Sequence, residues 1–246
     1  MADCLFLAGA TGAIGRRLAP LFVAAGWRVV GTTRSAEKAP LLREMGVEPV
    51  IVDVFDAAAL HAALEAARPQ VVMHQLTDLP SGLDPARMAG ASQRNARIRD
   101  EGTRHLVAAA VAAGALRIVA QSIGFAYADG PLPHSENDPL DNDFAGQRGV
   151  TLRGVASLER QVLQAPLEAL VLRYGRLYGP GTGFDAAVGA GPLHVDAAAR
   201  AAELAVLRGK PGIYNIAEDD GTLACDKAKR ELGWNADWRA GRSSAK

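Results

Sequence analysis

The sequence predicts an α/β fold, a doubly wound parallel sheet with a small, less regular carboxyl-terminal lobe. Three observations predict it. Short apolar runs alternate with helical patterns along most of the chain. The runs are apolar at consecutive positions rather than at every second one, as in strands buried on both faces. The first run is followed at once by "GATGAIG" (9–15), three glycines between a strand and a helix.

Each element has its own warrant. "CLFLA" (4–8) is a short buried strand, and "IGRRLAPLFVAAG" (14–26) is an amphipathic helix stopped by Gly26. "WRVVGTT" (27–33) is a second strand, 35–46 a helix, and "VEPVIVDV" (47–54) a third strand. Asp56 caps the helix 56–68, and "PQVVMHQL" (69–76) is the fourth strand. A helical region through "EGTRHLVAAAVAAG" (101–114) leads to a fifth strand, "LRIVAQS" (116–122). The helix "VASLERQVLQA" (155–165) precedes a sixth, "EALVLRYG" (168–175). Glycine-rich 178–196 reads as loop, then come a helix, the strand "GIYNIAE" and a last helix, "DKAKRELGW". The division expected is a dinucleotide-binding domain over 1–177 and a small lobe over 178–246 interleaved with the last sheet elements. Abrupt junctions at "FDAAVGAGPLHVD" and "EDDGTLACDKAKRELGW" mean either an unusually compact lobe or a chain lacking segments that flex in its relatives.

Composition bounds the function. At 246 residues the chain can bury a full core. Lys plus Arg and Asp plus Glu are both 27, so no basic field recruits nucleic acid or an acidic membrane. Two cysteines cannot build a disulfide framework, and neither a signal peptide nor a membrane span is read. A cytoplasmic protein with a small-molecule substrate, and possibly homodimeric, is the expectation. No His/Cys/Asp cluster has metal-ligand spacing, so no metal is expected.

A turn that leaves a strand and opens a helix presents unpaired amides and the positive end of a helix dipole, which suit a pyrophosphate. Gly9 would make the turn, Gly12 the close approach and Gly15 the helix–strand packing, with Thr11, Ala13 and Ile14 completing the cradle. An NAD site usually places a carboxylate about twenty residues on, at the ribose 2′-hydroxyl. Here "GTTRS" offers Arg34, whose guanidinium suits a 2′-phosphate, so NADP(H) is favoured over NAD(H). Asp53 and Val54 would flank the adenine, unless Asp53 only caps the strand end.

With these motifs on the page the chain resembles the extended and atypical short-chain dehydrogenase/reductases, relatives of the NAD-dependent epimerases and dehydratases. The resemblance runs through "GATGAIG", "VVGTTRS", "VDVFD", "VVMHQLTDLP", "NARIRDEGTRHLVAAAVAAG", "RIVAQSIGFAYADG", "LRYGRLYGPG", "HVDAAARA" and "GIYNIAEDD". It implies a Rossmann fold with a cofactor wall of Gln75, Leu76, Thr77, Ser122 and the "RYGRLYG" segment, which contains Tyr174. It also implies a catalytic Ser or Thr, a Tyr, and a Lys four residues after the Tyr.

The last implication fails within the sequence, which has no Tyr-x-x-x-Lys. The expected Tyr falls near Thr151 and the expected Lys near Val155, and an apolar Val cannot lower a pKa by charge. Ser122, Tyr127 and Tyr178 remain as candidate hydroxyl donors, the first two being favoured. The acidic stretch "HSENDPLDNDF" (134–144) is read as lying over the cleft. An NADP(H)-dependent reductase or epimerase-like enzyme acting on a small carbonyl or hydroxyl compound is the leading expectation. A non-enzymatic NADP(H) sensor and an isomerase or dehydratase using the nicotinamide transiently are the alternatives.

Overall fold

The computed structural model describes residues 3–84, 87–88 and 90–241. Its main feature is a seven-stranded sheet, every neighbouring pair parallel. The strands are β1 (Cys4–Ala8), β2 (Arg28–Thr33), β3 (Glu48–Ile51), β4 (Val71–His74), β5 (Arg117–Ile123), β6 (Glu168–Tyr174) and β9 (Gly212–Ile216). Their order, β3-β2-β1-β4-β5-β6-β9, reverses direction between β1 and β4. In open sheets that switch point is where ligands bind, outside the carboxyl ends of the strands.

Helices cover both faces because β1, β4 and β6 are apolar on both sides, as parallel strands must be. One core packs α1 (Gly15–Ala24), α7 (Val195–Arg208) and α8 (Asp226–Leu232) on the sheet through Leu18, Phe22, Leu204 and Leu232. The opposite core packs α3 (Ala57–Ala67), α5 (Thr103–Ala112) and α6 (Gly146–Leu163) through Leu60, Leu64, Leu106, Leu158 and Val162. Two helices lead into these layers: α2 (Ala39–Glu44), which precedes β3, and α4 (Ala91–Arg97), which runs on through a π turn (Ile98–Gly102) into α5.

Two elements differ from the sequence reading. α6 begins at Gly146, well before residue 155, because Gly146, Gly149 and Gly154 hide a helix that its packing on α4 stabilises. The stretch read as loop carries a small parallel ladder, β7 (Arg176–Tyr178) with β8 (Pro192–His194). The chain after residue 177 also returns to the main body: β9 pairs with β6, and α7 packs against α1. The capping expectation holds, since the Asp56 side chain accepts from the Ala59 amide at 3.0 Å.

Candidate functional site

A cleft of about 1360 Å³ opens along the carboxyl ends of the strands. Ligand pockets usually enclose about 300–1,000 Å³, so this one has room for a dinucleotide with a small molecule beside it. Its floor starts at the glycine turn. Gly9 adopts φ +95°, and a Cβ there would stand 2.5 Å from the Gln75 carbonyl oxygen. Only glycine fits. At Gly15 a Cβ would lie inside contact distance of the Gly9 carbonyl, so α1 starts hard against β1, as the packing role requires. Gly12 differs: its φ is ordinary, and a Cβ would meet only the Gly9 oxygen, at 3.2 Å, leaving its other side to the open cleft.

The cradle is held in place by Arg17. Its Nε donates to Asp196 at 2.6 Å, Nη1 to the Ala13 carbonyl at 2.9 Å, and Nη2 to the Pro180 carbonyl at 2.6 Å. One side chain thus ties α1 to α7 and to the loop after β7. Among the described residues no backbone carbonyl accepts from the amides of Thr11, Ala13 or Ile14, and no side chain caps α1. Those amides and the dipole of α1 are free for an anion.

The remaining expected cofactor residues divide in two. Arg34, Val54, Gln75, Leu76, Thr77 and Tyr174 all line the cleft. Gln75 Oε1 is buried without a partner, an acceptor waiting for a donor. Arg34 Nη2 rests 3.3 Å from Asp78 Oδ1, and a second cation, Lys38, lines the same end. Asp53 does not line the cleft. It is exposed, and its Oδ1 closes a turn on the Phe55 amide at 3.0 Å, while Val52 and Val54 on either side face inward. Gly15 supports the cradle from behind without lining it.

The two favoured donors are not brought to the cleft. On β5 it is Gln121 and Ile123 that line it, so Ser122 between them points to the other face. There Ser122 Oγ donates to Glu159 Oε1 at 2.6 Å, in a buried network with Arg173. Arg173 Nε and Nη2 reach Glu159 at 3.0 and 2.7 Å. Tyr127 joins the far end: its hydroxyl donates to Asn215 Oδ1 at 2.6 Å and accepts from Arg173 Nη1 at 2.8 Å. Burial pushes the Tyr127 phenol up despite Arg173. Both hydroxyls are committed to holding β5, β6, β9 and α6 together. The 134–144 loop belongs to the same end; Glu136 accepts from the Asn215 amide at 2.9 Å, and none of the loop lines the cleft.

At the position of the absent Tyr, half-buried Thr151 lines the cleft, whereas Val155 is buried among Ile123, Ala126 and Leu152. Tyr174 also lines it, with its hydroxyl directed at the Ala198 carbonyl, and burial keeps it a neutral phenol well above the ordinary range. Of the other histidines, His194 caps α7 by accepting from the Asp196 amide, and His74 is spent on Thr103 and the Leu76 amide. Tyr178 donates to Glu218 at 2.7 Å, away from the cleft. Among the described residues no group of three His, Cys, Asp or Glu is placed to hold a metal. No helix among them is long and apolar enough to cross a membrane.

Sequence reasoning missed Lys38, Arg99, Phe125 and Phe184 as lining residues. Lys38 had a signal, a second cation four residues after Arg34 on the same turn. The others had none.

A family model described as NAD(P)H-binding matches residues 9–203, from the glycine turn through most of α7. The chain belongs to the NAD(P)H-binding family. It is 43% identical over 237 residues to a 3-diazoavenalumate denitrifying reductase from a Streptomyces species, covering 88% of this chain and 76% of that protein. Solved structures with the same fold include a UDP-glucose 4-epimerase from Thermotoga maritima (TM-score 0.76, 18% identity, 95% of this chain and 94% of that one). Another is the dTDP-glucose 4,6-dehydratase DesIV from Streptomyces venezuelae (TM-score 0.73, 18% identity, 96% and 93%). A family member of this kind holds its dinucleotide on the glycine turn. The ungated amides, the open side of Gly12 and the orphaned Gln75 oxygen all fit such a ligand here.

Proposed function

We propose that this protein is an NADP(H)-dependent reductase whose hydride acceptor needs no protein acid. The observation that carries it is the cleft wall itself, where Thr151 and buried Val155 stand in place of a Tyr and a Lys. The glycine turn and the α1 amides would hold the pyrophosphate, and Arg34 with Lys38 the 2′-phosphate. Gln75 would meet a donor deeper in the cleft. The stretch after residue 177 supplies the substrate side, through the turn from Gly181 to Ala190. When bound, the reduced cofactor supplies a hydride.

The protein's own residues then have a limited task. Thr151 can orient an acceptor by one hydrogen bond, but an aliphatic hydroxyl without a base or a lysine is too weak an acid to protonate an alkoxide quickly. The neutral Tyr174 phenol is turned to Ala198. An acceptor that loses a neutral leaving group escapes this limit. The Streptomyces relative is named a denitrifying reductase of a diazo compound. For an arenediazonium acceptor in this cleft, a hydride delivered to the ring carbon would form the C–H bond while the C–N bond breaks and N₂ leaves, with no proton consumed.

The test compares an arenediazonium carboxylate with the matching aldehyde, following NADPH absorbance with and without protein. The diazonium compound should be turned over at a rate flat across neutral pH, with the aldehyde about 10²-fold or more slower. Aldehyde turnover at least as fast, with a titrating acid in its pH profile, would overturn the reading.

A further inference from the structure

Across the cleft from the glycine turn stands a cation with no anion. Arg99 sits on the π turn between α4 and α5 and lines the cleft. Its stem crosses α6 at Gly154, where a Cβ would come within 3.4 Å of Arg99 Cδ. The absence of a side chain at 154 lets α6 approach α4 closely, since a Cβ there would stand 2.9 Å from Ala96 Cα. Among the described residues its guanidinium makes no hydrogen bond or ion pair, although three other arginines each have a carboxylate partner. Arg97 holds Glu101 at 2.7 Å, Arg94 holds Asp78 at 3.3 Å, and Arg173 holds Glu159.

The surrounding carboxylates are already engaged. Glu159, whose field reaches Arg99, receives Ser122 and both Arg173 contacts. Asp78 is shared by Arg34 and Arg94, and Asp100 accepts from Ser157. His74 behind it is held neutral at physiological pH, because burial and the Arg99 charge push it down to about 4. Burial brings Arg99 itself down to about 10, which leaves it charged at neutrality. By accessible surface Arg99 is half-buried, and a partly desolvated charge without a partner is unfavourable, so such a group persists where a ligand completes it.

We propose that Arg99 anchors a carboxylate of the substrate, so that the substrate class is an organic carboxylate with an apolar, ring-sized body. Leu79, Leu83, Phe125 and Phe184 line the same cleft and would cover that body. The second arginine of this half, Arg176, is exposed at the rim with its guanidinium over the Phe125 ring, 4.5 Å from the centroid. The proposal rests on reading the cleft as a reductase site, and it adds the group by which the substrate is held.

The experiment uses equilibrium binding with oxidised cofactor, so that it does not depend on turnover. The NADP⁺-loaded protein is titrated with 3-phenylpropenoate and with its neutral primary amide. Wild type should prefer the carboxylate by about 10-fold or more, the scale of charge-assisted hydrogen bonds. Arg99→Met should erase that preference while keeping cofactor affinity, and Arg99→Lys should restore part of it. Thermal melts give a second readout: without ligand, Arg99→Met should melt higher than wild type, since it removes an unpaired charge. Millimolar 3-phenylpropenoate should raise the melting temperature of wild type alone. The proposal is overturned if neither measurement detects carboxylate preference in wild type, or if that preference survives Arg99→Met. It is equally overturned if the preference disappears instead in Arg176→Gln, or if Arg99→Met loses the cofactor or melts lower. A failed diazonium assay with an intact carboxylate preference would refute the reaction and leave the anchor standing.

Discussion

Replacing Arg34 by alanine should weaken NADPH far more than NADH, and the structure sets the size of the effect. In the free cleft the Arg34 guanidinium lies 3.3 Å from Asp78, which also faces Arg94 at 3.3 Å. A 2′-phosphate must draw Arg34 from that exposed pair, at a cost of at most about 1 kcal/mol. It gains charge-assisted hydrogen bonds of about 1.5–3 kcal/mol in return. The net of about 0.5–3 kcal/mol corresponds to a roughly 2- to 150-fold loss in Arg34→Ala. Asp78→Asn should act in the opposite direction, tightening NADPH by up to about 1 kcal/mol by removing the competitor. Fluorescence titration with both cofactors at low and high salt measures this, and the NADPH advantage should shrink as salt screens the exposed groups. Equal losses of NADPH and NADH in Arg34→Ala would refute the reasoning.

Gly12→Val should abolish binding of either cofactor in a folded protein, because its side chain would enter the open side of the cradle; unchanged affinity by fluorescence titration would make the loop a mere turn. Glu159→Leu should lower unfolding free energy in urea by about 3–5 kcal/mol by stranding buried Arg173, and Glu159→Leu with Arg173→Leu should recover most of it. Ser122→Ala and Tyr127→Phe should each destabilise by about 1–2 kcal/mol yet leave turnover within a few-fold, and a 10²-fold kinetic loss at unchanged stability would return them to the chemistry. His74 is neutral when folded, with its pKa down to about 4 from the usual 6.5. The unfolded chain therefore binds the extra proton first, and His74's contribution is complete above pH 6.5. It is lost as pH falls from 6.5 toward 4, by about 3 kcal/mol in all. Urea titrations across that window should show the slope, and His74→Asn should flatten it.

The alternation of strands and helices, the glycine turn and many of the residues that line the cleft were legible because each rests on local pattern. Ser122 and Asp53, expected at the cleft, lie off its lining for one shared reason. In extended chain, neighbours face opposite sides, so an error of one residue reverses the assignment. Gln121 and Ile123 line the cleft where Ser122 was expected, as Val52 and Val54 do beside Asp53. Tyr127 lies off the cleft lining because the direction of the loop after β5 depends on Asn215 and Arg173, which are far along the chain. Arg99 was illegible for a different reason. It sits on a π turn, which has no sequence signature, where α6 packs closely on α4 at Gly154.

The strand order also fixes a sequence of events during synthesis. The quartet β3-β2-β1-β4 uses only residues 4–74, so the glycine turn, Arg34 and the α1 cradle leave the ribosome first. The far edge of the sheet is not complete until β9, which ends at Ile216, pairs with β6 and lays Asn215 against Tyr127. Domains fold as they emerge from the amino-terminal side. A nascent chain stalled before residue 212 thus presents a nucleotide cradle beside the uncovered edge of β6. In the cell, that edge is the surface a chaperone has to guard.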